Sequence, residues 1–335
     1  MYDVSGRCSS THLRNTLGAT PTPPPPFKQT PAAIGRSGRG GGAGFHGIPK
    51  RQERENVPLS FLPFPFYGVP RVRCAFQTRM WGVSEGPYAC GNIAFDVGDD
   101  PRRVSRNRRE FAATLGLSAI AELDQRGDAV VFDPPAVPPN DFDAAPAFPC
   151  GGGMATDRRG LGLVIKTADS QPVLVTDRAG EHIAAFRVGW KESKSGFLGA
   201  GIAAFCERYG LAPRDLLAVR GPSLGPAAAA CGRFEEDWGP AFERWFDAPS
   251  QTLNLWQLTH DRLVEAGLPE NALFGLDLCT ASLPEAFFSR SRDGVCGRTG
   301  AVIWIGDAKR AGRKRRRSAG FPLGAGTARK DAFPG

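Results

Sequence analysis

The sequence predicts a mixed α/β fold in which helices pack in layers on β-sheets. Apolar runs with the length and β-branched content of strands alternate with amphipathic segments of helical period, which favours sheets covered by helices. Three of the strand-like runs follow one another with no helix between them. Because successive parallel strands need a crossover connection, these three runs argue against a regular doubly wound sheet.

Composition divides the 335 residues into a body and two extensions. Residues 1–56 are rich in proline and glycine and poor in apolar side chains, which predicts a disordered arm. Residues 57–308 hold 25 basic and 30 acidic residues, so the predicted domain is mildly acidic although the whole chain carries a net charge of +8. Residues 309–335 form a basic tail that we also expect to be disordered.

Composition also bears on location. No apolar run approaches the roughly 18 residues that a membrane-spanning helix needs, so we expect no membrane contact. No apolar segment of the signal-peptide type follows Met1. The 8 cysteines stand singly, without a CxxC pair. We therefore expect reduced thiols and a cytoplasmic protein.

The first elements of the body are a strand, a helix and a second strand. Residues 72–80 predict the strand, and residues 129–133 predict the second one. Between them, Asp100 and Pro101 are typical of a helix start, apolar residues recur at helical spacing, and Gly116 is typical of a helix end.

The rest of the body alternates strands and helices. The three neighbouring runs at 161–167, 173–177 and 182–188 predict strands joined by short turns, in antiparallel or mixed arrangement. The elements predicted after them are helices at 195–209, 234–246 and 256–266 and strands at 216–220, 273–279 and 301–305.

Six motifs follow one another along the body. They are Gly-Val-Ser-Glu-Gly-Pro-Tyr at 82–88, Asn92 with Val-Gly-Asp-Asp-Pro at 97–101 and Asn-Arg-Arg at 107–109, Thr-Ala-Asp-Ser at 167–170, Val-Gly-Trp at 188–190, Gly-Pro-Ser-Leu-Gly-Pro at 221–226, and Phe-Phe-Ser-Arg-Ser-Arg-Asp at 287–293 with Gly-Arg at 297–298. Taken in this order, they resemble the laccase-domain family, which is also known as the multicopper polyphenol oxidases and contains purine nucleoside phosphorylases.

The resemblance implies a layered α/β fold with an active site for a purine nucleoside and phosphate. Members of the family cleave adenosine, inosine or methylthioadenosine with phosphate, and some deaminate adenosine. It also implies a catalytic zinc held by two histidines and one cysteine. Three protein ligands leave the fourth position of zinc open for water or substrate.

All three positions of the implied zinc ligands carry other residues in this chain. Arg126 stands for the first histidine, in a Gln-x-His motif that is one residue shorter here, Ser170 stands for the cysteine, and Arg187 stands for the second histidine. A guanidinium has no lone pair to donate, and a neutral hydroxyl is a poor zinc ligand. We therefore expect neither a metal nor another cofactor at these catalytic positions.

The 4 histidines of the chain offer no replacement set. His12 and His46 lie in the predicted arm, and His260 lies in a predicted helix far along the chain. His182 is five residues from Arg187, an odd offset that points the two side chains to opposite faces of a strand. We interpret each as a surface or hydrogen-bonded histidine.

Two hypotheses for the arginines remain open. In the first, Arg126 and Arg187 keep positive charge in the pocket and bind a phosphate or carboxylate without a metal. In the second, each arginine pairs with a nearby acid such as Asp128 or Asp169 and the pocket is lost.

Five further residues are candidates for substrate binding by the resemblance. Arg290, Arg292 and Asp293 form the charged cluster of the closing motif, although Arg290 replaces an aromatic residue of the family pattern. Asn107 and Arg108 either contact substrate or bind the preceding loop to the body.

Two more motifs have a structural and a functional interpretation. Gly189 and Trp190 are expected to shape the turn and wall of the pocket. The backbone amides of the 221–226 loop either face a phosphate or serve only a tight turn.

Function therefore stays open between an enzyme and a binding protein. The first hypothesis is a purine nucleoside phosphorylase-type glycosyltransferase with impaired activity. The alternative is a non-catalytic protein that binds purine nucleosides and phosphate. A weaker possibility is nucleic-acid binding through the tail, whose basic residues are Lys309, Arg310, Arg313, Lys314, Arg315, Arg316 and Arg317. No aromatic side chains interleave with them for base stacking.

Overall fold

Two β-sheets packed face to face form the centre of the molecule. A computed structural model describes residues 59–142 and 148–306. The first sheet has the order β1-β2-β13-β6-β3. Its strands are β1 (Phe61–Pro65), β2 (Val72–Gln77), β3 (Ala119–Ala121), β6 (Leu161–Thr167) and β13 (Thr299–Ile305). The predicted arm 1–56 and tail 309–335 lie outside the described residues.

The second sheet has the order β12-β9-β7-β8-β5-β4. Its strands are β4 (Val130–Phe132), β5 (Gly153–Thr156), β7 (Gln171–Asp177), β8 (Ile183–Val188), β9 (Leu216–Arg220) and β12 (Leu273–Gly275). Strand β7 pairs antiparallel with both β8 and β9, which places the start of β7 beside the ends of its two neighbours. A separate short hairpin joins β10 (Phe246–Asp247) to β11 (Thr252–Leu253).

Helices cover the outer face of each sheet. The helices are α1 (Pro101–Leu115), α2 (Trp190–Ser195), α3 (Phe197–Tyr209), α4 (Phe234–Asp237), α5 (Leu255–Glu265) and α6 (Arg290–Asp293). Phe111 of α1 packs on the first sheet, whereas Phe205 of α3 and Leu263 of α5 pack on the second. Leu163 and Leu174 lie in the cluster between the sheets. The result is a four-layer αββα arrangement, and it confirms the predicted mixed α/β class.

Local signals explain the ends of α1. The side chain of Asp100 accepts a hydrogen bond from the backbone N–H of Arg102 at 2.9 Å. Pro101 occupies the first turn, where a missing N–H costs nothing. Gly116 ends the helix at φ +67°, a left-handed conformation that glycine adopts without strain.

Three predictions of elements need correction. Strand β6 pairs with β13 and β3 in the first sheet, so only β7 and β8 of the three central runs are neighbours. The helix predicted at 195–209 is divided between α2 and α3 by Gly196, whose φ is +74°. The helix predicted at 234–246 stops after α4, because Gly239 takes φ +82° and Pro240 has no N–H to continue it.

Five strands were absent from the sequence prediction: β1, β3, β5, β10 and β11. Two of them, β1 and β5, show how weak their sequence signals are. Strand β1 contains Pro63 and Pro65, and it forms an edge of its sheet, where prolines are tolerated. Strand β5 begins at Gly153 and has only four residues. The glycine is required there, because a Cβ would lie 2.5 Å from the ring of Phe186.

Candidate functional site

Ser170 and Arg187 meet at one edge of the second sheet. Ser170 precedes β7, Arg187 lies near the end of β8, and Arg187 pairs with Pro172 in the ladder. Their side chains converge on Gly189. A Cβ placed on Gly189 would lie 3.3 Å from Oγ of Ser170 and 3.2 Å from Nη2 of Arg187. Only a glycine leaves room for both groups at this turn.

A carboxylate neutralises Arg187 at this position. Nη1 of Arg187 lies 3.0 Å from Oε1 of Glu192, and the two side chains are 28% and 13% exposed. The other carboxylate oxygen of Glu192 accepts the backbone N–H of Gly189 at 3.0 Å. Glu192 therefore fixes the start of α2 and the orientation of Arg187 together.

The side chain of Arg126 does not join this pair. Its Nε donates to Oδ1 of Asp124 at 2.8 Å, and the Arg126 side chain is 75% exposed. The segment that contains Cys150 and Gly152 lies between the backbone of Arg126 and the site. Sγ of Cys150 donates to the carbonyl of Arg126 at 3.0 Å, and the N–H of Arg187 donates to the carbonyl of Gly152 at 2.8 Å. Each arginine is thus paired with a nearby acid, Arg126 with Asp124 and Arg187 with Glu192.

The residues at this edge do not fit zinc. Neither guanidinium offers a lone pair, and Ser170 is a neutral hydroxyl. Across the ranges 59–142 and 148–306, no group of three or more His, Cys, Asp and Glu side chains is arranged to hold a metal ion.

Asp169 ties the closing motif to the same edge. Its Oδ1 accepts from the hydroxyl of Thr280 at 2.7 Å, and its Oδ2 accepts from the backbone N–H of Ser291 at 2.6 Å. Asp169 has φ +91°, in the region that Asp and Asn adopt more readily than other non-glycine residues. These bonds bring α6, with the exposed Arg290 at its first position, next to Ser170.

The other two members of the predicted charged cluster bond to the loop itself. Arg292 donates to the carbonyls of Thr280 and Phe287 and forms two hydrogen bonds with Asp293. The hydrogen bond from Arg292 lowers the pKa of Asp293, and the same bond raises the pKa of Arg292. In this arrangement Arg292 and Asp293 stabilise the closing loop, and a direct role in substrate binding stays a prediction.

Asn107 and Arg108 lie in the interior, each 1% exposed. The amide of Asn107 donates to Ser84 and to the carbonyl of Asn92 at 2.8 Å. Arg108 forms a buried ion pair with Glu122 and donates to the carbonyl of Ile93 at 3.1 Å. These contacts are structural, but they hold residues 84–93 to α1 and not the loop at 97–100 that the sequence predicted as the partner.

The backbone N–H groups of the 221–226 loop all donate to acceptors elsewhere in the protein. The N–H of Gly221 donates to Pro172, that of Ser223 to Leu278, that of Leu224 to Asp169 and that of Gly225 to the sulfur of Cys279. The other two residues are prolines and have no N–H. The loop is therefore a tight turn, and its amides are not available to a phosphate.

The two described histidines, His182 and His260, lie outside any group of three or more possible metal ligands in the described residues. Nδ1 of His182 lies 3.3 Å from Asp177, and its ring packs 4.5 Å from the ring of Tyr209. His260 lies in α5 beside a cavity on the other side of the 221–226 loop.

The sequence alone did not identify Glu192, whose carboxylate neutralises the guanidinium of Arg187. The signal was a glutamate three residues after the turn glycine, the pattern in which a side chain returns to the start of a helix. Asp124 was also missed, because several acids near Arg126 were equally good candidates by spacing alone.

Four of the six ordered motifs meet at this sheet edge, on an αββα fold, and together they define a laccase-domain type of protein. The sequence profile described as "multi-copper polyphenol oxidoreductase laccase" matches residues 73–306. The chain belongs to this family.

The chain matches curated relatives along nearly their whole length. The chain is 29% identical to "Purine nucleoside phosphorylase YfiH" of Shigella flexneri over 255 residues, which covers 74% of this chain and 100% of that relative. It is 31% identical over 246 residues to a purine nucleoside phosphorylase of Corynebacterium glutamicum, covering 70% of this chain and 94% of that relative.

Solved structures agree with the fold. A Neisseria meningitidis protein has 29% identity and a TM-score of 0.63, covering 74% of this chain and 99% of that one. YlmD of Geobacillus stearothermophilus has 25% identity and a TM-score of 0.63, covering 72% and 94%. Within the described ranges, no helix has the length and apolar character needed to cross a membrane.

Proposed function

We propose that this chain binds a purine nucleoside and phosphate at the edge formed by Ser170, Arg187, Trp190 and Arg290, and that it lacks the metal-dependent phosphorolysis of its family. The relatives named purine nucleoside phosphorylases support the ligand class. The observation that carries the loss of activity is that Arg126, Ser170 and Arg187 occupy the implied ligand positions, with each guanidinium held by a carboxylate.

The exposed groups at this edge suit a nucleoside and an anion. The side chain of Trp190 is 51% exposed beside Gly189, so its indole face is accessible for stacking on a purine. Arg187 is partly exposed and Arg290 is exposed, and guanidinium forks match the oxygens of phosphate. Ser170 supplies one hydroxyl for a hydrogen bond.

The second candidate is phosphorolysis without a metal. It requires the arginines to bind phosphate strongly enough to position it for attack on the glycosidic carbon, while Ser170 only donates a hydrogen bond. Pairing of Arg187 with Glu192 works against it, because the guanidinium charge is already compensated.

Three measurements on the purified full chain test the proposal. We expect substoichiometric zinc by elemental analysis, no release of base from adenosine or inosine above a blank in phosphate buffer, and thermal stabilisation by nucleoside with phosphate. Stoichiometric zinc, or turnover well above the blank, contradicts the loss of activity. Absence of any stabilisation or binding contradicts the ligand assignment.

Two variants localise the binding. Trp190→Ala removes the exposed indole. We expect it to weaken nucleoside binding about 5–10-fold, because the loss of one aromatic stack costs roughly 1 kcal/mol. Tyr67→Ala is the matched control, because Tyr67 is also an exposed aromatic residue, at 94%, and is far from Trp190 in the sequence. Equal loss in both variants would contradict binding at this edge.

Two further predictions concern the compartment of the protein and its C-terminal tail. No disulfide joins cysteines of the described residues, which supports a reducing, cytoplasmic compartment. Nucleic-acid binding by residues 309–317 lies outside the described residues. It predicts an affinity that falls steeply with salt and that disappears when residues 309–335 are deleted.

A further inference from the structure

The end of strand β13 lies within a group of exposed arginines. Ile305 pairs with Val72 on one side and forms a bridge with Arg159 on the other. Arg71 and Arg73 flank Val72, so exposed arginines stand on both sides of β13. Neighbouring strands are about 4.8 Å apart, which puts the backbones of Arg73 and Arg159 roughly 10 Å from each other. We call Arg71, Arg73 and Arg159 the β13 arginines.

The β13 arginines have no acidic partner among the residues that the structure describes. Ion pairs hold, by contrast, the arginines at positions 103, 108, 126, 187, 208, 220, 233, 244, 262 and 292. An exposed guanidinium that no carboxylate neutralises keeps its charge and its hydrogen-bond donors available to an anion, and its planar fork matches the oxygens of a phosphate. This surface is therefore suited to an anionic partner, although the domain as a whole is mildly acidic.

The basic tail begins at the same place. The N–H of Gly306 donates to the carbonyl of Arg71 at 2.7 Å, and a Cβ built on Gly306 would lie 3.5 Å from Nε of Arg73. Lys309 follows three residues later and opens the run of basic residues that ends at Arg317. Three residues span at most about 11 Å, so the first charge of the tail stays close to the β13 arginines in any conformation.

An exposed aromatic ring stands in the turn that precedes Arg71. Tyr67 is 94% exposed, the largest value for a large hydrophobic side chain in the described ranges. Two hydrogen bonds fix this turn, from the N–H of Val69 to Phe66 at 3.2 Å and from the N–H of Val72 to Val69 at 3.1 Å. Residues 309–317 contain no aromatic side chain, and the turn supplies one beside the arginines. Exposed rings next to basic groups are typical of surfaces that bind single-stranded nucleic acids.

We propose that Tyr67 and the β13 arginines form a surface for single-stranded nucleic acid, to which the tail adds further phosphate contacts. The arginines bind phosphates of the backbone, and the ring of Tyr67 stacks on one base. Since neither contact reads base edges by hydrogen bonds, the surface accepts many sequences. The inference does not rest on nucleoside binding, because it uses none of the residues assigned to the Ser170 edge.

An anionic membrane is the other polyanion that a basic surface attracts. Stable attachment to a membrane needs apolar side chains that insert between the lipids, in addition to basic residues. One exposed tyrosine offers little apolar area for insertion, whereas one ring is enough to stack on a base. The combination of arginines and a single ring therefore favours the nucleic acid.

The test is the fluorescence anisotropy of a labelled oligothymidylate of about 20 nucleotides, titrated with the full chain at several salt concentrations. The double variant Arg71→Gln with Arg73→Gln removes two phosphate contacts. We expect it to lower the slope of log K against log salt by about 1.4, since each contact on a single strand contributes about 0.7. Tyr67→Ala is expected to keep the slope and to weaken binding about 5–10-fold, because it removes one stack.

Arg102→Gln is the matched control. Arg102 is an exposed arginine without an ion pair among the described residues, and it lies at the start of α1. The end of α1 is the part near Arg159, because Ser118 donates to the carbonyl of Gly160 at 3.3 Å. A helix of 15 residues is about 22 Å long, so Arg102 lies well away from the β13 arginines. Its loss should leave both the affinity and the salt dependence unchanged.

Binding that both Tyr67→Ala and the double arginine variant weaken as stated, and that Arg102→Gln and Trp190→Ala leave unchanged, supports the surface. No saturable binding, or equal losses in the double variant and in Arg102→Gln, overturns it. Unchanged binding in the double variant also overturns it and assigns the affinity to the tail alone. Stronger binding to vesicles of phosphatidylcholine and phosphatidylserine than to the oligonucleotide overturns it in favour of a membrane. A free nucleoside gains only one stack at Tyr67, so comparison of Trp190→Ala with Tyr67→Ala still separates the two sites.

Discussion

Nη1 of Arg187 lies 3.0 Å from Oε1 of Glu192 across the turn between β8 and α2. The second oxygen of the same carboxylate holds the N–H of Gly189. One side chain thus sets the local backbone and cancels the charge of a residue that stands where the family resemblance implies a metal ligand. An anion bound at this sheet edge would have to compete with Glu192 for the guanidinium of Arg187.

Replacing Glu192 by Gln should free this charge. We expect Glu192→Gln to tighten phosphate binding roughly 3–10-fold, because a partly buried guanidinium loses its neutralising partner at about 3 Å. Calorimetric titration with inorganic phosphate at low ionic strength measures the change. Glu236→Gln is the control, since Glu236 pairs with Arg233 in an exposed i,i+3 pair of α4. An unchanged phosphate affinity in Glu192→Gln would rule out Arg187 as the anion-binding group.

Glu122 should make folding sensitive to acid. It is buried between Arg108 and Lys166, with Nζ of Lys166 at 2.9 Å. Burial alone raises its pKa, but the charges and hydrogen bonds of Lys166 and Arg108 outweigh burial and hold the pKa at about 2. The stabilisation is therefore complete above the unfolded pKa of about 4.3 and is lost as pH falls toward the folded value.

The variant Glu122→Gln tests this relationship. It leaves Arg108 as an uncompensated buried charge, so we expect the free energy of unfolding to fall by about 3–5 kcal/mol near neutral pH. The difference from wild type should shrink between roughly pH 4 and pH 2 as the wild-type carboxylate is protonated. Chemical denaturation at several pH values measures it, with the exposed Glu285→Gln as the control. A difference that stays constant over this range would contradict the low pKa.

Asp169 should control the order of the closing loop. Asp169→Ala removes the acceptors of Thr280 and Ser291 and places alanine at φ +91°. We expect a loss of about 2–3 kcal/mol in the free energy of unfolding and faster amide hydrogen exchange over residues 280–293. Asp169→Asn tolerates the backbone and keeps one acceptor, so it should lose about half as much. Equal protection of this segment in both variants would contradict the assigned bonds.

Cys279 should react at lower pH than an ordinary thiol. Partial burial raises its pKa, but hydrogen bonds from Ser282, Gly225 and Ala281 outweigh burial and lower the pKa below the usual value. The thiolate therefore forms at lower pH than that of an unperturbed cysteine. Alkylation by iodoacetamide, followed at Cys279 by mass spectrometry, should show a lower midpoint in the folded chain than in the chain unfolded by urea.

Ser282→Ala is the matched variant for this experiment. It removes the hydroxyl that lies 3.2 Å from the sulfur, so the alkylation midpoint should move to higher pH. Coincident midpoints for the two proteins would show that the hydroxyl does not stabilise the thiolate.

Elements defined by neighbouring residues were predictable from the sequence. Helix α1 begins at Asp100 and Pro101 and ends at Gly116, and the β7–β8 hairpin follows from two strand-like runs with a short turn. Strand β6 was assigned to the wrong neighbours, because its partner β13 lies more than 100 residues further along the chain. Propensity and period are local properties, whereas strand pairing is a long-range one.

The sequence alone determined the family and the donor chemistry of three positions. Ordered motifs identified the laccase domain, and the side chains of Arg126, Ser170 and Arg187 exclude zinc ligation by their chemistry wherever they lie. Tertiary structure decided the partners: Glu192 for Arg187, Asp124 for Arg126, and internal acceptors for every amide of the 221–226 loop. It alone brought Arg73 and Arg159 to opposite sides of the end of β13. Contacts of this kind depend on the packing of distant segments, which no local pattern encodes.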